Sequence, residues 1–440
     1  MLGLRHERSK QYLMKKPLLK ESRFNVKIPS AGGVLVFNTL SKSLVKLDQD
    51  SKLGKTKELE NLGFFVEDGT DENQIVNYWL HKRQFSKELA FEILGTNNCN
   101  LRCEYCFAYY RRNKGLMSES TLAETISWIS SQVSETNPKR LKIVFSGGEP
   151  TLNVKAIETI ANFIKKNHPL VKFNFGMITN GTTLNESLIK KLRRIGLTWV
   201  QITLDGPKAI HDRRRPLANS KISSFDLIYN NLNKLGHLTP KIYLRVNIDF
   251  ENSPHIEELL LKLKELPVNV KKRMYFQFAR VIETKRKNSL QKNQRRVKEY
   301  NQESANWEVE CYRQAKEMGF NLSINLDNIF DPHGPCMFVS RNSFIITTQG
   351  DIHKCVGLIK EKDLSVGNVK TGLNRNVAYY SEKGTQFLRS AKCGKCHFLP
   401  VCYGGCHNIA YLERGDMWAE TCPREYFETC SLELVKVLYE

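Results

Sequence analysis

Three cysteines lie close together in the segment NNCNLRCEYCF, at positions Cys99, Cys103 and Cys106. Thiolates separated by three and then two residues can share one metal centre. Three protein ligands leave one coordination position open, either on one iron of a [4Fe–4S] cluster or on a catalytic zinc ion that holds water. By composition, this spacing should arise in about one per cent of shuffled chains. The segment therefore predicts a metal centre with an open position rather than three unrelated buried cysteines.

A second group of cysteines occupies the C-terminal part of the chain, where residues 332–430 hold eight of the twelve cysteines. In a reducing compartment, clustered cysteines indicate metal binding or catalysis more than disulfides. Structural zinc is one alternative, because CxxC pairs together with His397 and His407 are compatible with zinc sites. The spacing is C-x13-G-x4-C, then C-x2-C-x5-C-x3-C and a final C, formed by Cys336, Gly350, Cys355, Cys393, Cys396, Cys402, Cys406 and Cys422.

The elements that must position these cysteines follow a repeating pattern from residue 88 onward. Strand-like runs alternate with amphipathic helical runs, which predicts a parallel sheet. Right-handed crossovers would curl that sheet into a full or partial barrel. The predicted strands are LAFEILG (89–95), KIVFSG (142–147), FNFGMITNG (173–181), WVQITLDG (199–206), IYLRVNID (242–249) and MYFQFARV (274–281).

Chemistry in such barrels takes place at the carboxyl ends of the strands. The first cysteine segment follows the first predicted strand, and polar or glycine-rich segments end the next four. We therefore expect one barrel mouth to collect Ser146-Gly147-Gly148-Glu149-Pro150, Thr179-Asn180-Gly181, Leu204-Asp205-Gly206, Asn247 and Asp249.

The chain of 440 residues is long enough for several domains. Short strand-like and helical runs predict a small α+β module over residues 1–87, ahead of the barrel at 88–320 and a cysteine-rich region at 321–440. The charged N-terminus does not resemble a secretory signal. No apolar run reaches the roughly 18 residues of a membrane span. We therefore expect a cytoplasmic protein without a membrane partner and disfavour a secreted disulfide scaffold.

The net charge of +21 indicates an acidic partner such as a nucleic acid or an acidic peptide. Two strongly basic segments, HDRRRP (211–216) and TKRKNSLQKNQRRVK (284–298), follow the fourth and sixth strands. We expect both to rim the barrel mouth and to steer an acidic partner, the alternative being ordinary solvated charge runs. No nucleic-acid-binding motif or aromatic platform accompanies the charge, so nucleic acid is the disfavoured partner.

The CxxxCxxC segment, with Tyr105 before its last cysteine and GGE at the end of the second strand, resembles the radical S-adenosylmethionine (SAM) signature. The resemblance implies an α/β fold with a partial (β/α)6 TIM-like barrel. It implies that the three cysteines hold a [4Fe–4S] cluster whose open iron binds SAM, and that Gly147, Gly148 and Glu149 contact the methionyl amine. Reductive cleavage of SAM would yield a 5′-deoxyadenosyl radical that abstracts hydrogen. Further candidates for SAM contacts are Ser146, Thr179, Asn180, Asp205, Arg245 and Asn247.

The C-terminal spacing resembles the SPASM domain, which implies two auxiliary [4Fe–4S] clusters and three clusters in total. By this resemblance the first auxiliary cluster lacks a fourth cysteine. Cys311 or Cys430 could supply it, Cys430 could instead take the role of Cys422, or an open iron could bind a substrate thiolate. The implied ligands are Cys336, Cys355 and Cys406 for the first cluster and Cys393, Cys396, Cys402 and Cys422 for the second.

SPASM radical enzymes mostly modify peptides or proteins, so the resemblance implies an oxidoreductase acting on a peptide. The N-terminal module is similar to the winged-helix element with which ribosomal-peptide maturases bind a leader as an added strand; a capping module is the alternative. We therefore predict a maturase of a ribosomally made precursor peptide with an acidic leader, forming a thioether or other crosslink or epimerising a residue. A flavodoxin or ferredoxin would serve as reductant.

An anaerobic sulfatase-maturating enzyme, which oxidises Cys or Ser to formylglycine, is the alternative function. The segment TLDGPKAIHDRRRP resembles that group. However, that group has an aspartate, its proposed base, directly after the cysteine that matches Cys355, where this chain has Val356. That group also lacks a comparable N-terminal module. No catalytic base is predicted for this chain.

Overall fold

The computed structural model describes residues 18–49, 51–106, 108, 115–281, 302–330, 336–374 and 390–440, so the basic segment 284–298 lies outside the described residues. They divide into two compact units, one ending at Val76 and one beginning at Asn77. The strands are β1 Leu19–Glu21, β2 Asn25–Ser30, β3 Gly33–Asn38, β4 Leu44–Asp48, β5 Phe65–Glu67, β6 Glu88–Thr96, β7 Arg140–Gly147, β8 Lys172–Thr179, β9 Leu197–Thr203, β10 Ile242–Ile248, β11 Met274–Arg280, β12 Asn321–Leu322, β13 Ser343–Ile346, β14 Asp351–His353, β15 Gly367–Asn368 and β16 Gly372–Leu373. The α-helices are α1 Lys57–Asn61, α2 Glu72–Gln84, α3 Glu119–Thr136, α4 Val154–Asn167, α5 Glu186–Ile195, α6 Lys208–Arg214, α7 Ser224–Leu235, α8 Ile256–Lys264, α9 Val268–Lys271, α10 Gln302–Glu317, α11 Ala391–Gly394, α12 Leu399–Cys402, α13 His407–Arg414, α14 Arg424–Tyr426 and α15 Leu432–Tyr439.

The first unit contains strands β1 to β5 and helix α1. Strands β2, β3 and β4 form an antiparallel sheet with β3 in the middle, and β1 pairs with β5. Its core contains Val36, Leu53, Phe64 and Phe65, which bury the apolar face of the sheet. Strands β2 and β4 are the two edge strands of this sheet.

The second unit confirms the predicted partial barrel. Strands β6 to β11 lie side by side in chain order, and every neighbouring pair is parallel. Strand β6 pairs with β7 on one side and β13 on the other, so the sheet does not close onto β11. Alternation along β10 buries Ile242, Leu244 and Val246 completely and turns Arg245 and Asn247 to the opposite face.

The cysteine-rich region extends the barrel sheet, which the sequence did not predict. Strand β13 pairs in parallel with β6, and β14, β15 and β16 follow as antiparallel neighbours. Because β13 is only four residues long, its apolar run SFII carries too little periodicity to be recognised as a strand. No helix among the described residues has the length and apolar character that crossing a membrane requires.

Candidate active site and iron–sulfur centres

The loop after β6 brings the first three cysteines together. Burial raises the pKa of Cys103 to about 11, the charge of Arg215 lowers it, and the thiols of Cys106 and Cys99 raise it again. Burial likewise raises the pKa of Cys99, with a further contribution from the Cys106 thiol. Each thiol therefore lies within electrostatic reach of the others. A cavity of about 370 Å³ opens beside Cys99.

A second segment runs antiparallel to this loop and holds it by backbone hydrogen bonds. The Glu104 N–H donates to the Arg214 carbonyl oxygen at 3.1 Å, and the Arg102 N–H donates to that of Pro216 at 2.9 Å. The Ala218 N–H donates in turn to the Asn100 carbonyl oxygen at 2.8 Å. The basic segment 211–216 therefore lies against the cysteine loop.

The prediction that segment 211–216 forms an exposed basic rim is wrong. The side chain of Arg214 is fully buried, and Arg215 and His211 are buried as well. Arg214 Nη1 donates to both carboxylate oxygens of Asp249 at 2.7 Å. Only Arg213 among the three arginines is exposed, where it pairs with a surface glutamate at 3.0 Å. Carboxylates at the strand ends compensate the buried guanidinium groups, which a charge run alone could not reveal.

Tyr105 links the cysteine loop to the ends of the fourth and fifth barrel strands. Its hydroxyl group donates to the Asp205 carboxylate. It accepts hydrogen bonds from Arg215 Nη1 at 2.9 Å and from Asn247 Nδ2 at 3.1 Å. Burial raises the pKa of Tyr105 well above its usual value, so this phenol stays protonated. Arg245 Nε donates to Asn247 Oδ1 at 2.8 Å and extends the network into the barrel.

The Gly147-Gly148-Glu149 segment packs its backbone onto the residues that precede Cys99. The Gly148 N–H donates to the Thr96 carbonyl oxygen and the Glu149 N–H to that of Asn98, both at 2.8 Å. A Cβ atom on Gly148 would lie 2.2 Å from that Asn98 oxygen. Gly147 has a φ of +129°, which favours glycine.

The Glu149 carboxylate is fully buried and surrounded by donors. Its Oε1 accepts hydrogen bonds from the hydroxyl groups of Thr179 and Thr151, both at 2.6 Å. Its Oε2 accepts the Asn180 N–H at 2.7 Å. Burial raises the pKa of Glu149, whereas these hydrogen bonds lower it. The Glu149 charge also raises the pKa of Cys99, which places the carboxylate near the cysteine loop.

The remaining predicted site residues join the same end of the sheet. Ser146 Oγ donates to the Glu92 carboxylate at 2.6 Å. Asn180 Nδ2 donates to Asn100 Oδ1 at 2.7 Å, inside the cysteine segment. Asp205 Oδ1 accepts the Asn247 N–H at 2.8 Å. The structure thus brings the cysteine loop together with Glu149, Asn180, Asp205 and Asn247 at the strand ends.

The C-terminal cysteines fall into two groups. Burial raises the pKa of Cys355 to about 12, and the thiols of Cys336 and Cys406 raise it further. Burial also raises the pKa of Cys402 to about 12, where the additional thiols are those of Cys422, Cys396 and Cys393. Electrostatic contact thus links Cys355 with Cys336 and Cys406, and Cys402 with Cys393, Cys396 and Cys422.

The loop between Cys402 and Cys406 separates the two groups. Tyr403, Gly404 and Gly405 all have positive φ values, of 49°, 93° and 98°. A Cβ atom on Gly405 would lie 2.2 Å from the Thr421 carbonyl oxygen. This left-handed backbone lets cysteines only four positions apart belong to different groups.

The two remaining cysteines lie in a different environment. Cys430 is fully buried, and burial followed by the charge of Glu308 raises its pKa well above the usual value. Burial and the same carboxylate raise the pKa of Cys311. Both cysteines therefore lie near the Glu308 carboxylate.

Cysteine thiolates are ligands of both iron–sulfur clusters and zinc ions. Within the described ranges, no three or more His, Cys, Asp or Glu side chains are arranged to hold one metal ion. A cluster of four irons spreads its thiolates further apart than a zinc ion with bonds of about 2.3 Å. His407 is buried, with Nδ1 2.8 Å from the Met417 carbonyl oxygen and its ring stacked on Phe338. His397 is half-buried against Phe398.

Comparison with known proteins identifies the barrel. Residues 93–263 match the model of the radical SAM superfamily. The chain carries a radical SAM domain. This confirms the resemblance of the CxxxCxxC and GGE segments and implies that SAM and a [4Fe–4S] cluster are its cofactors.

Three proteins illustrate what this chain is similar to. The cysteine-type anaerobic sulfatase-maturating enzyme of Clostridium novyi (strain NT) is 28% identical over 338 residues, covering 71% of this chain and 85% of that protein. The solved structure of native anSMEcpe with bound AdoMet and Kp18Cys peptide superimposes with a TM-score of 0.62 at 18% identity, covering 80% of this chain and 97% of that one. Streptococcus suis SuiB bound to S-adenosylmethionine has a TM-score of 0.54 at 14% identity, covering 91% of this chain and 98% of that one. At these identities the two structures share the fold with this chain.

Sequence reasoning missed the buried cations, including Arg215, which binds the cysteine loop through the Tyr105 hydroxyl. Arg214, Arg215 and His211 looked like surface charge, although they follow a strand whose last residues are Leu204, Asp205 and Gly206. The signal available was the position of the segment directly after a barrel strand, where side chains converge.

Proposed function

We propose that this chain is a SPASM-class radical SAM maturase that crosslinks a ribosomally synthesised peptide, with a thioether as the favoured bond. The observation that carries the proposal is the division of the C-terminal thiols into one group of three and one of four. That division supports two auxiliary clusters in addition to the SAM cluster. A cluster held by the group of three would have one iron open for a cysteine thiolate of the substrate.

The residues around the first cysteine loop would hold the SAM cluster and SAM itself. When bound, SAM and the reduced cluster supply a 5′-deoxyadenosyl radical that abstracts hydrogen from carbon. Cys99, Cys103 and Cys106 would bind three irons of the cluster. Gly147, Gly148 and Glu149 would position the methionyl amine, because their backbone already abuts the cysteine segment.

The side chains at the strand ends would exclude water and fix the site before substrate enters. The Glu149 carboxylate is held by two hydroxyl groups and one backbone N–H, so its orientation is set in advance. Ser146, Asn180, Arg245 and Asn247 would line the SAM pocket from neighbouring strands.

The N-terminal unit would bind the leader of the precursor peptide. Strands β2 and β4 are the edge strands of its antiparallel sheet, and a peptide could pair with either edge as a further strand. The acidity of that leader has less support than the sequence suggested, because His211, Arg214 and Arg215 are buried. Segment 284–298 remains the basic candidate for steering.

Metal content tests the cofactor part of the proposal. The protein is purified and reconstituted without oxygen, and iron, sulfide and zinc are counted. We expect about 12 iron atoms per chain, falling to about 8 in the Cys99/Cys103/Cys106→Ala variant with SAM cleavage lost. The Cys355→Ala variant should also lose about 4 iron atoms, whereas Cys430→Ser should lose none. A count of about 4 iron atoms and two zinc ions per chain would contradict the two auxiliary clusters. Zinc at every site would contradict the radical SAM assignment.

Two short peptides that differ only by a Cys→Ser change test the thiolate part. The electron paramagnetic resonance (EPR) signal of the first auxiliary cluster is the one that the Cys355→Ala variant lacks. Addition of the cysteine peptide should alter this signal, and addition of the serine peptide should leave it unchanged. Equal effects of both peptides, or no effect of either, would contradict thiolate binding at the group of three. For a precursor peptide, a crosslink that survives replacement of its cysteines by serine would rule out the thioether.

Formylglycine formation is the second candidate function, favoured by the Clostridium novyi relative that this chain covers over 85% of its length. Against it, Val356 stands where that group has its proposed base, and it packs in an apolar cluster with Leu94, Ile345 and Ile359. Incubation with the Kp18Cys peptide and SAM, followed by mass spectrometry, decides between the two. Formylglycine in the product would establish this activity, and an unchanged peptide alongside SAM cleavage would favour the crosslinking proposal.

A further inference from the structure

We propose that Tyr105, Asp205 and Arg215 form a buried positioning group that holds the cysteine loop and sets the reduction potential of the cluster bound there. The proposal rests on the proposed function in one respect, namely that Cys99, Cys103 and Cys106 bind a [4Fe–4S] cluster. It does not depend on which peptide the enzyme modifies. These residues do not act on the substrate; they act through the cysteine loop.

The geometry of the group fixes Tyr105 from two sides. The Tyr105 hydroxyl donates to Asp205 and accepts from Arg215 Nη1 at 2.9 Å. Arg215 Nη1 lies 3.7 Å from Asp205 Oδ2, which closes a triangle of three polar groups. Tyr105 stands directly before Cys106 and two residues after Cys103, so holding its side chain restrains both cysteines.

The backbone ladder makes the group part of one unit with the loop. Hydrogen bonds join Glu104 to Arg214 and Arg102 to Pro216 on either side of Arg215. The backbone of Arg215 is therefore held against the part of the loop that carries Cys103. Asp205 has no freedom either, because it is fully buried and its Oδ1 accepts the Asn247 N–H.

The charges of the group act on the cysteines with opposite signs. Arg215 is 6% exposed and Asp205 is 0% exposed, so water screens neither charge well. Both charged groups lie at the Tyr105 hydroxyl, and Tyr105 stands between Cys103 and Cys106 in the chain, so both charges are close to the cysteine loop. Because reduction adds an electron to the cluster, Arg215 favours the reduced state and Asp205 disfavours it.

The chain supplies a matched control two positions away. Arg213 lies in α6, which ends one residue before Arg215, and it carries the same charge, but it is exposed and pairs with Glu251 at the surface. Solvent screens its charge, and its side chain donates to Glu251 instead of contacting the positioning group. Arg213→Gln therefore removes one positive charge from this segment without touching the positioning group.

An EPR-monitored redox titration of the holoenzyme tests the charge effect. The signal followed is the one that the Cys99/Cys103/Cys106→Ala variant lacks, so the auxiliary clusters do not interfere. Arg215→Gln should shift the midpoint potential to a more negative value, and Asp205→Asn should shift it to a less negative value. Arg213→Gln should leave it at the wild-type value. Shifts in the same direction for both buried variants, or no shift in either, would overturn the electrostatic role.

Tyr105→Phe tests the positioning role without changing any charge and keeps the ring. Loss of its hydrogen bonds should accelerate iron release to a chelator about tenfold, the equivalent of about 1.4 kcal/mol. Tyr229→Phe, which removes a surface hydroxyl with contacts of 3.3–3.4 Å, is the control and should not change the rate. Equal release rates for Tyr105→Phe and wild type would refute the positioning role. If the triple-cysteine variant keeps all its iron, the cluster assignment itself fails, which separates the two proposals.

Discussion

Replacement of Gly148 by alanine should separate the GGE segment from the cysteine loop. The added Cβ atom would lie 2.2 Å from the Asn98 carbonyl oxygen and 2.8 Å from that of Asn97. Since real Cβ atoms do not come closer than 3.0 Å, the backbone must move apart by at least about 0.8 Å. Both partners are backbone atoms, so no side-chain rotation relieves the contact.

The structure sets the size of this effect. Forced overpacking of this kind costs about 1–3 kcal/mol of folding free energy. A displacement approaching 1 Å at a site that positions a cofactor lowers the rate by about 10²-fold. We therefore expect Gly148→Ala to lower the unfolding temperature and to slow the release of 5′-deoxyadenosine from SAM by about two orders of magnitude.

The assay compares SAM cleavage, iron content and thermal unfolding under anaerobic conditions. Gly95→Ala is the matched control, because Gly95 lies in the strand that leads into the same loop. Its Cβ atom would meet only Ala156 at 3.6 Å and Asn153 at 4.0 Å, which are ordinary contacts. Wild-type cleavage by Gly148→Ala, or equal losses in both variants, would refute the close-approach argument.

Three further perturbations test the surroundings of the site. Glu149→Gln should lower the free energy of unfolding by about 1–3 kcal/mol, because an amide nitrogen would face buried donors. The control Glu119→Gln, at an exposed position, should leave the free energy of chemical unfolding nearly unchanged. Burial, together with Arg215 and Arg214, holds the pKa of His211 well below 6.5, so stability should fall as the pH drops below about 6.5 by up to about 1.4 kcal/mol per unit. His211→Asn should flatten that slope in unfolding midpoints measured from pH 7.5 to about 5.5. Lys354→Met should remove the donor to two carbonyl oxygens in the turn after Cys336 and release about 4 iron atoms, which iron counting would detect.

The barrel strands were predictable because their alternation follows a simple spacing rule. The alternation along β10, with Ile242, Leu244 and Val246 on one face and Arg245 on the other, is visible in the letters IYLRV. Cysteine spacing is likewise a property of the chain that folding preserves. Residues at strand ends converge by topology alone, so Glu149 and Asn180 could be placed at one mouth before their contact at 2.7 Å was known.

The errors arose where a partner distant in sequence decides the environment. Arg214 becomes a buried residue because Asp249, 35 positions later, provides two carboxylate contacts at 2.7 Å. A run of three arginines cannot show which member meets such a partner and which, like Arg213, stays in water. In the same way β13 became a strand because β6 presents an edge to it, not because four residues favour that conformation.

The raised thiol pKa values connect the cluster sites to the folding of the chain. Burial brings the pKa of Cys103 to about 11 and those of Cys355 and Cys402 to about 12. A cluster bound at these cysteines would displace their thiol protons, because the thiolate is the ligand. Its binding would then become stronger as the pH rises and would offset the cost of burying the thiolates. It follows that removal of one cysteine from a group should expose the remaining thiols as well as release the iron, so that the loop carrying the group loses order together with its metal.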